Sequence, residues 1–462
     1  MTTQISQMSA SALVRAYERR ELSPVEVVYA TYDRIDSVNP KINAIYHQDR
    51  EGALSAARDS EQRWLSQTPL GLLDGVPTTI KDALATTGMP SYRGSAAGHG
   101  EVATTDHPTV ARMRQAGALI VGKNTMCDYG ILAAGISSRH GITRNPWDLS
   151  CTTGASSSGA AASVAAGVEP LSVGTDIVGS IRLPASFCGL AGLKPSQGRV
   201  PYYKCNSPAL TAGPLARSFA DLALHMNVLT GPDGRDFTAL AQDNTDYTRC
   251  LHKANLHAAR VLVVTELGLG APVQREVETA VLDVADVLSQ LGATIDFCEA
   301  PPFDRNDWQP AEAFYKVRTL SELSEHADSE ARKSTVIWDW TRDALTFSAV
   351  DHQRNFDLTQ RLRERAHALI RGYDFLILPS TPQTAFGAEL AGANPERIFE
   401  SWANTFLFNL SEQPCSNIPV GLDDRGLPIG VQVVGKRFHD QSVLSLSWQV
   451  EQVVGQMPPA PI

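Results

Sequence analysis

The chain has 462 residues, enough for a large core, and its 43% apolar and 19% charged content excludes a disordered polypeptide. A formal charge of −10 and an isoelectric point near 5.6 repel phosphate backbones, so no nucleic-acid partner is expected. Seven scattered cysteines with no C-x-x-C pair (Cys127, Cys151, Cys188, Cys205, Cys250, Cys298 and Cys415) argue for free thiols, against a disulfide framework and against a zinc site.

In chain order, no leader with an uninterrupted apolar core opens the sequence, and no apolar run reaches the roughly 18 residues of a membrane span. A cytoplasmic protein without a membrane partner is expected. Residues 23–37 predict a helix: Ser23 caps it, Pro24 suits the first turn, and Glu26 completes a capping box. Val28, Tyr32 and Ile35 then share one face. A second amphipathic helix is expected near 51–64. From about Gly71 to Arg235 small residues dominate. Leu119–Val121 reads there as a buried strand, and Ala160–Val168 as a close-packed helix. Beyond Asp236, strands are expected at 260–265, 293–297, 375–378 and 429–434. An amphipathic helix over 275–291 has Gly292 as its stop. The aromatic-rich stretch 301–372 reads as helical. The fold expected is one α/β domain over 1–462, with a large mixed, twisted sheet covered by helices on both faces. It divides into an N-terminal helical segment (1–66), a central core (67–237) and a C-terminal part (238–462).

Several suggestive patterns lead nowhere. Gly117–Asn124 approaches a phosphate-binding loop but lacks the final Ser/Thr, and its middle is strand-like. Gly268-Leu-Gly270 reads as a strand-to-helix turn rather than a dinucleotide site. There is no H-E-x-x-H and no G-x-S-x-G.

Three segments carry chemistry together: Gly75-Val-Pro-Thr-Thr-Ile-Lys81-Asp82, Gly154-Ala-Ser156-Ser157-Ser158-Gly159, and Gly174-Thr-Asp176-Ile177-Val178-Gly179-Ser180-Ile-Arg182-Leu-Pro184. With Gly122-Lys-Asn-Thr-Met-Cys-Asp128, Arg144-Asn-Pro-Trp-Asp148, Phe187–Pro195, Gly213–Arg217, Asn409–Pro414 and Leu427–Gly435, they resemble the amidase signature family over nearly the whole chain. The resemblance implies a Ser-Ser-Lys triad: Ser180 attacks, Ser156 relays a proton, and Lys81 is the base. It also implies a cis peptide bond at Ser156, with backbone N–H groups of Ile177, Val178, Gly179 and Ser180 as the oxyanion donors. Ser157 is expected to orient Lys81, and Asp176 and Arg182 to support the loop as an ion pair. Asp82 and Asp128 read as structural. Lysine accepts a proton only when neutral, so a buried, uncharged Lys81 is expected. The implied reaction takes a small-molecule amide through an acyl-enzyme, with no metal or organic cofactor.

The chain departs from the family pattern where Ala155, Ser158 and Val178 occupy usual glycine positions. Either the backbone there has negative φ, or the loop differs from the common form. Val178 adds bulk beside the nucleophile, while Ser158 has no assigned role. Pocket-lining candidates are Tyr129, Trp308, Phe314, Tyr315 and Trp338. Three readings remain open: a free-standing amidase, an amidotransferase subunit releasing ammonia from glutamine, and a catalytically silent protein on the same scaffold. A homodimer is also left open.

Overall fold

The structure, a computed structural model, describes residues 5–203, 207, 209–252 and 255–462. Cys205 therefore lies outside the described residues, and the other six cysteines are free thiols. At the N-terminal end are α1 (Ala10–Glu18), α2 (Pro24–Ile42) and α3 (Arg50–Leu65). The capping box at Ser23 forms as the sequence predicts. Ser23 Oγ accepts from the Glu26 N–H at 3.2 Å, and Glu26 accepts from the Ser23 N–H at 2.8 Å. The helix runs five residues past 37, to Ile42, carrying Pro40 within its last turn.

Eleven strands build one mixed sheet: β1 (Ile45–Gln48), β2 (Pro77–Lys81), β3 (Leu119–Asn124), β4 (Leu171–Asp176), β5 (Ala191–Lys194), β6 (Thr211–Ala216), β7 (Arg260–Val263), β8 (Thr294–Phe297), β9 (Phe375–Pro379), β10 (Cys415–Leu422) and β11 (Pro428–Gly435). Their spatial order is β1-β3-β2-β4-β6-β5-β10-β11-β9-β7-β8. The β2–β3, β2–β4, β7–β8 and β7–β9 pairs are parallel, and the other neighbours are antiparallel. All three parts of the chain thus contribute strands to the same sheet.

Alternation along the strands sends side chains to two cores. Phe375 and Ile377 pack on one face with Val261, Val263 and Val431. There α6 (Phe219–Leu229), α7 (Arg275–Gln290) and α11 (Asp440–Val454) cover the sheet through Leu222, Val284 and Leu444. Leu376 and Leu378 pack on the opposite face with Tyr315, Phe399 and Phe406. That second face lies beneath α8 (Gln309–Leu323), α9 (Ala349–Leu369) and α10 (Phe406–Leu410). Helices on both faces of a mixed sheet match the expected fold class. Gly117–Asn124, the near-miss phosphate loop, leads into and forms β3. Its Lys123 is buried, with Nζ donating to the Leu84 carbonyl at 2.6 Å.

Candidate active site

Two neighbouring parallel strands deliver the reactive amine and its partners to the same end of the sheet. Lys81 is the last residue of β2, and Thr175 and Asp176 close β4, with Ile80 opposite Val173. Sites commonly form beyond the carboxyl ends of parallel strands because loops and helix starts converge there. Here α4 (Ser158–Ala165) begins directly after Ser156 and Ser157. Residues 177–181 turn from β4 into α5 (Arg182–Phe187). The Ala155–Ser156 peptide is cis.

Lys81 is fully buried. Its Nζ lies 2.9 Å from Ser156 Oγ, 2.8 Å from Ser157 Oγ, 2.8 Å from Thr175 Oγ1 and 3.3 Å from the Thr175 carbonyl. Burial pulls the amine down to about 7. Cys127, Asp176 and Asp82 oppose that shift, while the Arg93 guanidinium adds to it. A neutral amine has two N–H donors and one lone pair, and the Thr175 carbonyl can only accept. Ser157 also donates toward that carbonyl at 3.4 Å, so its oxygen faces Lys81 as an acceptor. The Ser156 and Thr175 hydroxyls are the two groups then left able to offer an O–H to the lone pair. Thr175 is a partner of Lys81 that the sequence does not announce, although it stands inside the Gly174–Pro184 segment.

The Ser157 N–H donates to the Ser180 carbonyl at 3.3 Å, which brings the two serine-bearing segments together. The Ser180 hydroxyl is buried and makes no hydrogen bond among the described residues. The Lys81–Ser156 link is therefore formed and the Ser156–Ser180 link is not.

Asp176 organises the loop that holds Ser180. Its Oδ1 accepts from the Gly179 N–H at 2.7 Å and from Asn409 Nδ2 at 2.8 Å, and its Oδ2 accepts from the Ile181 N–H at 3.1 Å. Arg182 donates to both carboxylate oxygens at 3.1 Å, and both side chains are fully buried. Burial raises the Asp176 pKa, but Arg182 together with Lys194 and Asn409 more than reverses this and holds it at about 2. Arg182 also donates to the Thr405 carbonyl, to Gln432 and to Asn409. In the sequence Asn409 and Gln432 stand out only as parts of motifs, and the structure gives them this bracing role.

The expected set of oxyanion donors needs correction. The Gly179 N–H is committed to Asp176, which leaves the N–H groups of Ile177, Val178 and Ser180 without protein acceptors among the described residues. Gly179 has φ +132, and a β-carbon there would collide with Thr405 Oγ1, which donates to the Val178 carbonyl at 2.6 Å. None of Ala155, Ser158 and Val178 has positive φ, so no left-handed backbone demands glycine at these positions. Ser158 opens α4, and its hydroxyl reaches the Thr125 carbonyl at 3.4 Å.

Asp82 and Asp128 tie loops together. Asp82 accepts from the Tyr46 hydroxyl at 2.7 Å and from the N–H groups of Tyr92 and Gly94 at 2.8 and 2.7 Å. Asp128 accepts from the Ser138 N–H at 2.8 Å. Of the expected lining residues, Tyr315 donates to the Ile177 carbonyl at 3.3 Å. Tyr129 precedes Gly130, where an added β-carbon would stand 3.2 Å from Ser156 Oγ. Phe314 borders an adjacent cavity. Trp308 instead stacks on Phe399, and Trp338 lines a separate groove with Leu320 and Leu345. Among the described residues, no group of three or more His, Cys, Asp or Glu could hold a metal ion, and no helix is long and apolar enough to cross a membrane.

Sheet, triad segments and buried Asp–Arg clamp together define an amide-bond hydrolase scaffold, and comparison with known proteins agrees. The Amidase family profile matches residues 26–444, and the chain belongs to that family. It is similar to a glutamyl-tRNA(Gln) amidotransferase subunit from Symbiobacterium thermophilum, 33% identical over 96% of each chain. It is also similar to the acylamidase of Rhodococcus erythropolis, 31% identical over 96% of this chain and 95% of the relative. Among solved structures, a bacterial aryl acylamidase of the amidase signature family superposes with a TM-score of 0.89. That pair is 29% identical over 96% of each chain.

Proposed function

We propose that this amidase-family hydrolase cleaves a small carboxamide to a carboxylate and ammonia or an amine, through an acyl group carried on Ser180. The observation that carries the reading is the buried Lys81 amine, 2.9 Å from Ser156 Oγ and with its pKa drawn down to about 7. An amine in that state accepts a proton near neutrality. As Ser180 Oγ forms its bond to the substrate carbonyl carbon, its proton passes to Ser156 Oγ, and the Ser156 proton passes to Lys81. The N–H groups of Ile177, Val178 and Ser180 receive the oxyanion, and losing one such donor costs about 10²–10³ in rate. The carbon–nitrogen bond then breaks, and the relayed proton returns through Ser156 to the leaving nitrogen. Water attacks the ester by the same relay, releasing the acid and restoring Ser180.

Ammonia release across a panel of amides tests this reading. Ser180→Ala is expected to abolish release and labelling by a fluorophosphonate. Release undiminished in that variant would refute it. Val178, buried beside the nucleophile, narrows the acyl side. Val178→Gly is expected to widen the range of acyl sizes accepted, and an unchanged profile across a graded series would count against this.

A second reading draws on the relatives that are subunits of glutamyl-tRNA(Gln) amidotransferase. A chain of that kind would release ammonia from glutamine within a complex. Glutamine-dependent ammonia release that appears only with copurifying partner chains would favour it over the free-standing amidase.

A further inference from the structure

A trans peptide plane has two polar edges, the carbonyl of one residue and the N–H of the next, and they point in opposite directions. A donor that holds the carbonyl therefore also aims the N–H across the plane. The peptides from Asp176 to Ser180 are trans. The one joining Val178 to Gly179 is taken on both edges: Thr405 Oγ1 donates to the Val178 carbonyl at 2.6 Å, and the Gly179 N–H donates to Asp176 at 2.7 Å. The three N–H groups proposed to receive the oxyanion are held, among the described residues, on their carbonyl edges only. The Leu183 N–H donates to the Gly179 carbonyl at 2.8 Å, behind the Ser180 N–H. Asn409 Nδ2 donates to the Asp176 carbonyl at 3.2 Å, behind the Ile177 N–H. Tyr315 Oη donates to the Ile177 carbonyl at 3.3 Å, behind the Val178 N–H.

Tyr315 differs from the other two backing donors. The Leu183 bond belongs to the turn into α5 itself, and Asn409 also binds the Asp176 carboxylate and Arg182. The Tyr315 bond comes from outside that clamp, from the middle of α8. Its side chain is buried, stacks on Phe399 with ring centroids 5.9 Å apart, and meets Phe314 edge-on at 5.3 Å. A ring packed in this way fixes where its hydroxyl points, so the donor is in place before charge develops on a substrate. The run from the Tyr315 O–H through the Ile177 carbonyl to the Val178 N–H also polarises along its length, and in a buried site this makes the last N–H a stronger donor.

We propose that Tyr315 is a positioning residue for the reaction: by holding the Ile177 carbonyl it aims and strengthens the Val178 N–H for the oxyanion. The proposal rests on the amide-hydrolysis reading of the site and adds a residue to its machinery. Tyr315 acts through the peptide plane, and its benefit is felt only once negative charge gathers on the substrate oxygen. It therefore raises turnover without tightening the binding of the amide itself.

Tyr315→Phe removes one oxygen and keeps the stacked ring, so packing is retained. For the best amide of the ammonia-release panel, kcat is expected to fall about tenfold while KM stays within about twofold. A trifluoromethyl ketone carrying the same acyl group separates aiming from general loosening. Ser180 Oγ bonds to its carbonyl carbon, the hydroxyl proton passes through Ser156 to Lys81, and the ketone oxygen becomes the anion. Its affinity should drop about tenfold in Tyr315→Phe. Binding of the amide to Ser180→Ala, measured by calorimetry, should be the same with and without Tyr315→Phe. Unaltered kcat and ketone affinity in an active enzyme overturn the proposal and leave the hydrolytic reading standing. Equal losses in ketone and amide binding also overturn it, because they mark a packing role. A wild type that neither turns over amides nor takes up the ketone would sink the hydrolytic reading, and the proposal with it.

Discussion

On the proposed mechanism Lys81 is the base and sets the pH behaviour of the site. The base must be uncharged, and burial has brought its pKa to about 7. Activity is therefore lost as pH falls through that value, because protonation removes the lone pair that Ser156 needs. Measured from pH 5 to 9, kcat/KM should climb about tenfold per unit at the acid end and level off above about 7. A profile flat from pH 5 upward would be inconsistent with a lysine base. The segments of Lys81, Ser156 and Ser180 stand out in the sequence, the two serine segments by their small residues and Lys81 by the strand-like run before it. Thr175 is not, since a threonine at a strand end looks the same whether it faces a core or an amine. Nor does the sequence reveal that the Gly179 N–H is taken by Asp176. The pairing of Asp176 with Arg182 can be read from their spacing, but the backbone groups that the same carboxylate binds depend on how the loop turns.

Among the elements, the 177–181 loop is held by a strand end, a helix start and two distant segments. Arg182 reaches from α5 to Thr405 and Asn409 around α10 and to Gln432 on β11. Removing one member of a fully buried ion pair leaves its partner charged and uncompensated, which typically costs about 3–5 kcal/mol. Arg182→Met is expected to lower unfolding free energy in urea by that order and to abolish acylation of Ser180. A variant of wild-type stability would show that Asp176 is neutralised by other means. Elements are legible in the sequence where a clear cap or a short continuous run of large apolar residues occurs, as at Ser23, Arg260–Val263 and Phe375–Pro379. They are not at β5 (AGLK) and β6 (TAGPLA), where Ala, Gly and Pro give neither branched side chains nor a two-residue period. The contacts of Tyr315 and Arg318 with loops 138 and 189 residues away lie beyond any local pattern.

At the scale of the whole molecule, β1 is the outermost strand, and α2 packs Val28, Tyr32, Ile35 and Val38 against Leu119 and Val121 of β3. Deleting residues 1–49 would uncover that apolar surface and the edge of β3, the strand next to the one that ends at Lys81. Aggregated, inactive protein is expected on gel filtration, and a monodisperse active product would contradict the packing described. The Arg182 clamp has a consequence for how the protein comes into being. Its partners at Thr405 and Gln432 lie 223 and 250 residues further along the chain. A ribosome therefore delivers Ser180 long before the braces that shape its surroundings. The growing polypeptide should stay chemically silent until translation is nearly finished, which would spare the cell an unselective esterase on every unfinished copy.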